Sequence, residues 1–128
     1  MGHHFMKTRL IVSDIDGTLL RKDGSLSEAT RRTLEYVAGL GIPVALATGR
    51  TEMTMADVLK ELPMVRFVIR SNGAVVWDLQ KGRLVFEAQI PHALFEQILD
   101  ILCGEDVCWH CFADGRGYID RVLGQKLI

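Results

Sequence analysis

Apolar positions along the chain follow two patterns. Leu10-Ile11-Val12, Val44-Ala45-Leu46-Ala47 and Phe67-Val68-Ile69 are continuous runs, as expected of strands covered on both faces of a parallel sheet. Between them, Thr30, Leu34, Val37 and Ala38 recur at i, i+4, i+7 and i+8, while Met55, Val58, Leu59 and Leu62 recur at i, i+3, i+4 and i+7. Each set is the stripe of a helix packed on such a sheet. Ser25-Leu26-Ser27-Glu28 offers a capping box for the first helix, with Ser25 or Ser27 as the cap, and Gly39, Gly41 and Pro43 end it. The second starts near Thr54 and closes at Pro63. The spacing predicts strands over 8–14, 44–47 and 66–70 in the order β-α-β-α-β, joined by right-handed parallel crossovers, with the first strand buried on both faces.

Past residue 70 the period changes to two. Val75 and Trp77 face Leu84 and Phe86 across Gln80-Lys81-Gly82, an antiparallel hairpin. Pro91 opens a third helix with Leu94, Phe95, Ile98, Leu99 and Leu102 on its apolar face, and Gly104 ends it. Residues 107–113, the turn Asp114-Gly115-Arg116-Gly117 and residues 118–122 predict a second hairpin. The fold class is α/β: a partial Rossmann-like parallel sheet, then an α+β segment, with the boundary near residues 79–84.

Charge and composition narrow the function. With 15 Lys and Arg against 16 Asp and Glu, the net charge of -1 gives no basic field for nucleic acid. No apolar run approaches the ~18 residues of a membrane span, and no signal-like stretch opens the chain, so a cytoplasmic protein is expected. Met1-Gly2-His3-His4-Phe5 precedes a second methionine, reads as a vector remnant or an alternative start, and carries no functional weight. Three cysteines predict reduced thiols rather than a disulfide framework. Cys108-Trp109-His110-Cys111 superficially offers metal ligands, but strand alternation would turn its sulfurs to opposite faces.

The chemistry concentrates at two strand ends. Asp14-Ile15-Asp16-Gly17-Thr18-Leu19 follows the first strand directly. Two carboxylates ~4 Å apart repel by about 4 kcal/mol at an effective dielectric near 20, so the pair needs a cation between its members or a proton on one. A divalent metal suits a nucleophilic Asp14, and a retained proton makes Asp16 a general acid. A plain Asp-Gly turn accounts for Asp16-Gly17 but not for a second acid at the strand end. The second run ends in Thr48-Gly49-Arg50, where a hydroxyl, a glycine permitting close approach and free helix-start amides suit an anion. Alone, that tripeptide also reads as a turn and helix cap. Ligands bind beyond the carboxyl ends of parallel strands, so the two segments belong to one phosphate site.

Asp14-Ile15-Asp16-Gly17-Thr18-Leu19 after a hydrophobic strand resembles the first motif of the haloacid dehalogenase superfamily, and Ala47-Thr48-Gly49-Arg50 resembles its second. Ser71-Asn72-Gly73-Ala74 before a hairpin is similar to the Cof-type subfamily of small-metabolite phosphatases. The resemblance implies residues 6–80 as the N-terminal part of the core and residues 81–128 as the beginning of an incomplete cap domain. It implies a phosphatase acting on a small phosphorylated metabolite such as a sugar phosphate. Asp14 would be the nucleophile and Asp16 the acid and base. Mg²⁺ would be held by the Asp14 carboxylate and the Asp16 backbone carbonyl, and Thr48 would bind the phosphoryl group with Gly49, Arg50 and Asn72 beside it. For Arg50 the alternative is a solvated helix-start charge, and for Asn72 a turn residue.

The family's lysine and its later Gly-Asp motif have no counterpart here. Lys60, Lys81 and Lys126 lack the context, and Asp106, Asp114 and Asp120 lie in what resembles the cap. The chain stops at Ile128 inside that cap, so weak metal binding, impaired activity and self-association through incomplete sheet edges are expected. A non-catalytic phosphate-binding or interaction module is the competing reading, and a phosphomutase shares the same aspartyl-phosphate.

Overall fold

A computed structural model describes residues 7–113 and 116–119. The chain divides into two compact units, Met1–Ala88 and Gln89–Ile128. In the first, β1 (Ile11–Asp14), β2 (Val44–Ala47) and β3 (Val65–Arg70) run parallel, joined by α1 (Glu28–Gly39) and α2 (Glu52–Glu61). Next, β4 (Val75–Asp78) and β5 (Arg83–Glu87) extend the sheet antiparallel, giving the order β1-β2-β3-β4-β5.

The caps settle where the helices begin. Ser27, not Ser25, caps α1: its Oγ accepts from the Thr30 amide at 3.0 Å, and Glu28 becomes the first helical residue. Thr51 precedes α2, and its amide donates to Thr54 Oγ1 at 3.2 Å, so this helix starts two residues ahead of the expected Thr54. Both stripes face one core. Leu34, Met55, Val58 and Leu62 pack with Val44 and Leu46 of β2 and Val68 of β3.

Other expectations change as well. The first strand is not buried on both faces: Val12 is 50% exposed and Leu10 46%. Among the described residues β1 pairs with β2 alone, and Val12 lies opposite Ala45, on the side away from Val44 and Leu46. The first hairpin, for its part, is continuous with the parallel sheet. Val68 pairs with Trp77, Leu84 sits across from Trp77, and a register shift between Val76 and Trp77 sets Phe86 opposite Val76 rather than Val75. A boundary at 80/81 therefore cuts between paired strands, whereas the compact units divide after Ala88.

In the second unit, α3 (His92–Cys103) runs from Pro91 to Gly104, followed by β6 (His110–Ala113) paired antiparallel with β7 (Arg116–Ile119). Arg116 and Gly117 belong to the strand and not to the turn, since they pair with Ala113 and Phe112. A Cβ at Gly117 would come within 2.7 Å of His110 Nε2, so glycine here makes room for the packed His110 and Phe112 rings. The expected end of this hairpin at Val122, and Asp114, Asp120 and Lys126, lie outside the described residues. No helix among the described residues is long and apolar enough to cross a membrane.

Candidate active site

The loop after β1 is held from beneath. Ile15 is fully buried, and its carbonyl accepts from the amides of Leu19 and Leu20 at 3.0 and 2.9 Å. Leu19 and Leu20 are buried too. With these three as anchors, the intervening positions turn outward, and Asp14, Asp16, Gly17 and Thr18 are exposed. Gly17 makes the reversal possible with φ +74, a left-handed conformation costly for other residues.

Register carries this loop to the second motif. Asp14 pairs with Ala47, so Thr48 begins one residue beyond, on the same rim of the sheet. The Thr48 amide extends the ladder to Ile69 O at 2.9 Å, and Asn72 follows β3 on that rim. All six residues singled out in the sequence, Asp14, Asp16, Thr48, Gly49, Arg50 and Asn72, thus stand at the carboxyl ends of three adjacent parallel strands.

Within this cluster the two carboxylates have different environments. Thr18 Oγ1 donates to Asp14 Oδ2 at 3.1 Å, while Oδ1 has no hydrogen-bond partner among the described residues. Asp16 is gripped by Arg50, with Nε to Oδ2 at 2.8 Å and Nη2 to Oδ1 at 2.5 Å. Those hydrogen bonds, with the guanidinium charge, hold the Asp16 carboxyl below its ordinary pKa. Asp16 thus carries its own protein cation and is a carboxylate in this state rather than a retained acid. Arg50 also donates from Nη1 to Thr54 O at 3.0 Å, so three of its donors are engaged within the protein. Thr48 is buried, and its hydroxyl accepts from the Arg50 amide at 3.1 Å, which leaves the hydroxyl proton free to point at a ligand.

Thr18 and Thr54 were missed in the sequence as contributors to this rim. Thr18 sits four residues after Asp14 inside the first motif, which was the available signal; the Thr54 carbonyl has no sequence signature.

A hard cation finds part of a shell here. The exposed Asp14 carboxylate supplies a charged oxygen, and Mg²⁺ is commonly held by one or two carboxylates with substrate phosphate and water filling the remaining positions. No group of three His, Cys, Asp or Glu side chains suited to a metal occurs among the described residues. Lys60 pairs with Asp57 on the exposed face of α2, and Lys81 lies in the β4–β5 turn, so neither reaches the rim. Asp106 belongs to the second unit.

Residues 11–126 match the haloacid dehalogenase-like hydrolase family. The HMP-PP phosphatase of Yersinia pestis is 30% identical over 113 residues, covering 88% of this chain and 41% of that protein. The 5-amino-6-(5-phospho-D-ribitylamino)uracil phosphatase of Bacillus subtilis is 36% identical over 70 residues, covering 55% of this chain and 28% of its own length. Among solved structures, a haloacid dehalogenase-like hydrolase from B. subtilis superposes with a TM-score of 0.78 at 30% identity, covering 93% of this chain and 41% of its own. The chain thus spans about two-fifths or less of the length of these relatives.

Proposed function

The chain belongs to the haloacid dehalogenase-like hydrolase family, and we propose that it carries the phosphoryl-accepting part of a phosphatase for small phosphorylated metabolites. The observation that supports this reading is the pairing of Asp14 with Ala47, by which Asp14 and Thr48 end neighbouring strands at one sheet rim. The two relatives named for a substrate act on HMP-PP and on 5-amino-6-(5-phospho-D-ribitylamino)uracil, and a phosphorylated small molecule is the class they share.

In this mechanism the free Oδ1 of Asp14 attacks phosphorus, the bond to the leaving oxygen breaks, and an aspartyl-phosphate forms. The Thr48 hydroxyl donates a hydrogen bond to a phosphoryl oxygen, and Gly49 lets the backbone approach. As the Arg50 grip loosens, Asp16 takes a proton from solvent water, gives it to the leaving oxygen, and then takes a proton from the water that hydrolyses the acyl phosphate. When bound at Asp14 and the Asp16 carbonyl, Mg²⁺ would offset phosphoryl charge. The Arg50 grip, which keeps Asp16 ionised, favours a second reading, a phosphate-binding module without turnover.

Hydrolysis of a general aryl phosphate with and without Mg²⁺ decides between them. Phosphatase action predicts Mg²⁺-stimulated turnover that Asp14→Asn lowers by on the order of 10³ or more. Turnover surviving in Asp14→Asn overturns the nucleophile, and orthophosphate binding without turnover supports the module.

A further inference from the structure

The turn Ser71–Gly73, which follows β3, is wound left-handed at three successive residues: φ is 52 at Ser71, 54 at Asn72 and 94 at Gly73. Glycine takes this conformation freely, whereas Ser and Asn carry a steric cost there. The strained backbone points two amides back at the phosphate loop. Ser71 N donates to Arg50 O and Asn72 N to Thr48 O, each at 3.3 Å, so the carbonyls on either side of Gly49 are held from one turn. Gly49 completes the fit, because a Cβ at that position would lie 2.9 Å from Asn72 Oδ1.

We propose that Asn72 is a positioning residue: its left-handed turn clamps Thr48–Arg50 by the backbone and thereby sets both the phosphate-facing hydroxyl and the guanidinium that grips Asp16. Asn is suited to the place, being among the few residues other than glycine that enter left-handed backbone readily. A β-branched residue is not. Gly49 and Asn72 accordingly form a matched pair, one lacking the atoms that the other would strike. The proposal rests on the phosphatase reading for its purpose, but the clamp is a structural claim that can be measured without turnover.

The test uses the ¹⁵N-labelled full chain, its amide spectrum, and titration with orthophosphate in the presence of Mg²⁺. Gly49→Ala and Asn72→Val should each shift the Thr48 and Arg50 amide signals and weaken orthophosphate binding about tenfold, as expected for one displaced charge-assisted hydrogen bond. Adding Asn72→Gly to Gly49→Ala relieves the contact while permitting positive φ, so the Thr48 and Arg50 signals should return toward their parent positions. Unchanged signals in Gly49→Ala, or no return in the double variant, overturn the clamp. If Gly49→Ala alone does not fold, recovery of the folded spectrum in the double variant supports the pairing, and failure to recover counts against it. If the parent chain binds no orthophosphate, the phosphate reading falls, and the amide shifts still decide the clamp.

Discussion

Arg50 and Asp16, 34 residues apart in sequence, form a two-point ion pair that links the loop after β1 to the loop after β2. Because the guanidinium hydrogen-bonds to both carboxylate oxygens, Asp16 is kept ionised at pH values where a free carboxylate begins to protonate. Removing the cation should raise its pKa. In Arg50→Gln, a ¹³C-carboxyl NMR titration is expected to show the Asp16 midpoint moving up toward the ordinary carboxylate value. An unmoved midpoint would mean that something other than Arg50 governs this acid.

Leu46 is fully buried between the helices and the sheet. Leu46→Ala should cost about 2–5 kcal/mol, from lost transfer energy and the cavity left behind. Urea unfolding measures it, and a loss below about 1 kcal/mol would indicate that the helices do not pack on this face as described.

Asp78 supplies a pH signature distinct from the rim. Its side chain is almost fully enclosed, which pushes its carboxyl up, but the Lys81 amide at 3.1 Å and the Arg66 guanidinium at 3.4 Å outweigh that, and the net direction is down. A carboxylate lowered in the folded state stabilises above its unfolded value and loses that contribution as pH falls through the folded one. The stability gap between the parent and Asp78→Asn should therefore narrow below about pH 4. Equal gaps at neutral and acid pH would remove Asp78 from this role.

Val12 is half exposed on a strand that, among the described residues, is paired on one side only, the arrangement that invites edge-to-edge association. Sedimentation velocity should find concentration-dependent association of the parent and much less of Val12→Lys, since a lysine on an edge strand opposes pairing. A parent that stays monomeric at roughly millimolar concentration would contradict this.

Much of this was readable in the residues. The runs at Val44–Ala47 and Val65–Arg70, with stripes containing Leu34 and Met55 between them, carried the β-α-β-α-β order, because burial on a sheet leaves a periodic trace. Strand ends followed, and with them the placing of Asp14 and Thr48. What escaped depends on contacts distant in sequence. A continuous run such as Leu10-Ile11-Val12 looks the same whether one neighbour or two flank it, so the exposure of Val12 had no signal. The Arg50 grip on Asp16 depends on register, which no local pattern encodes. Gly117 resembled a turn glycine, yet its missing side chain accommodates aromatic rings across a strand pair.

Asp14 ends β1, a strand hydrogen-bonded on one side only among the described residues. Amides on the flank of β1 away from β2 should exchange with solvent before those shared with β2, since fraying from that flank costs less than opening an interior strand. Anything that ties Asp14 to Thr48 should therefore slow exchange along that flank.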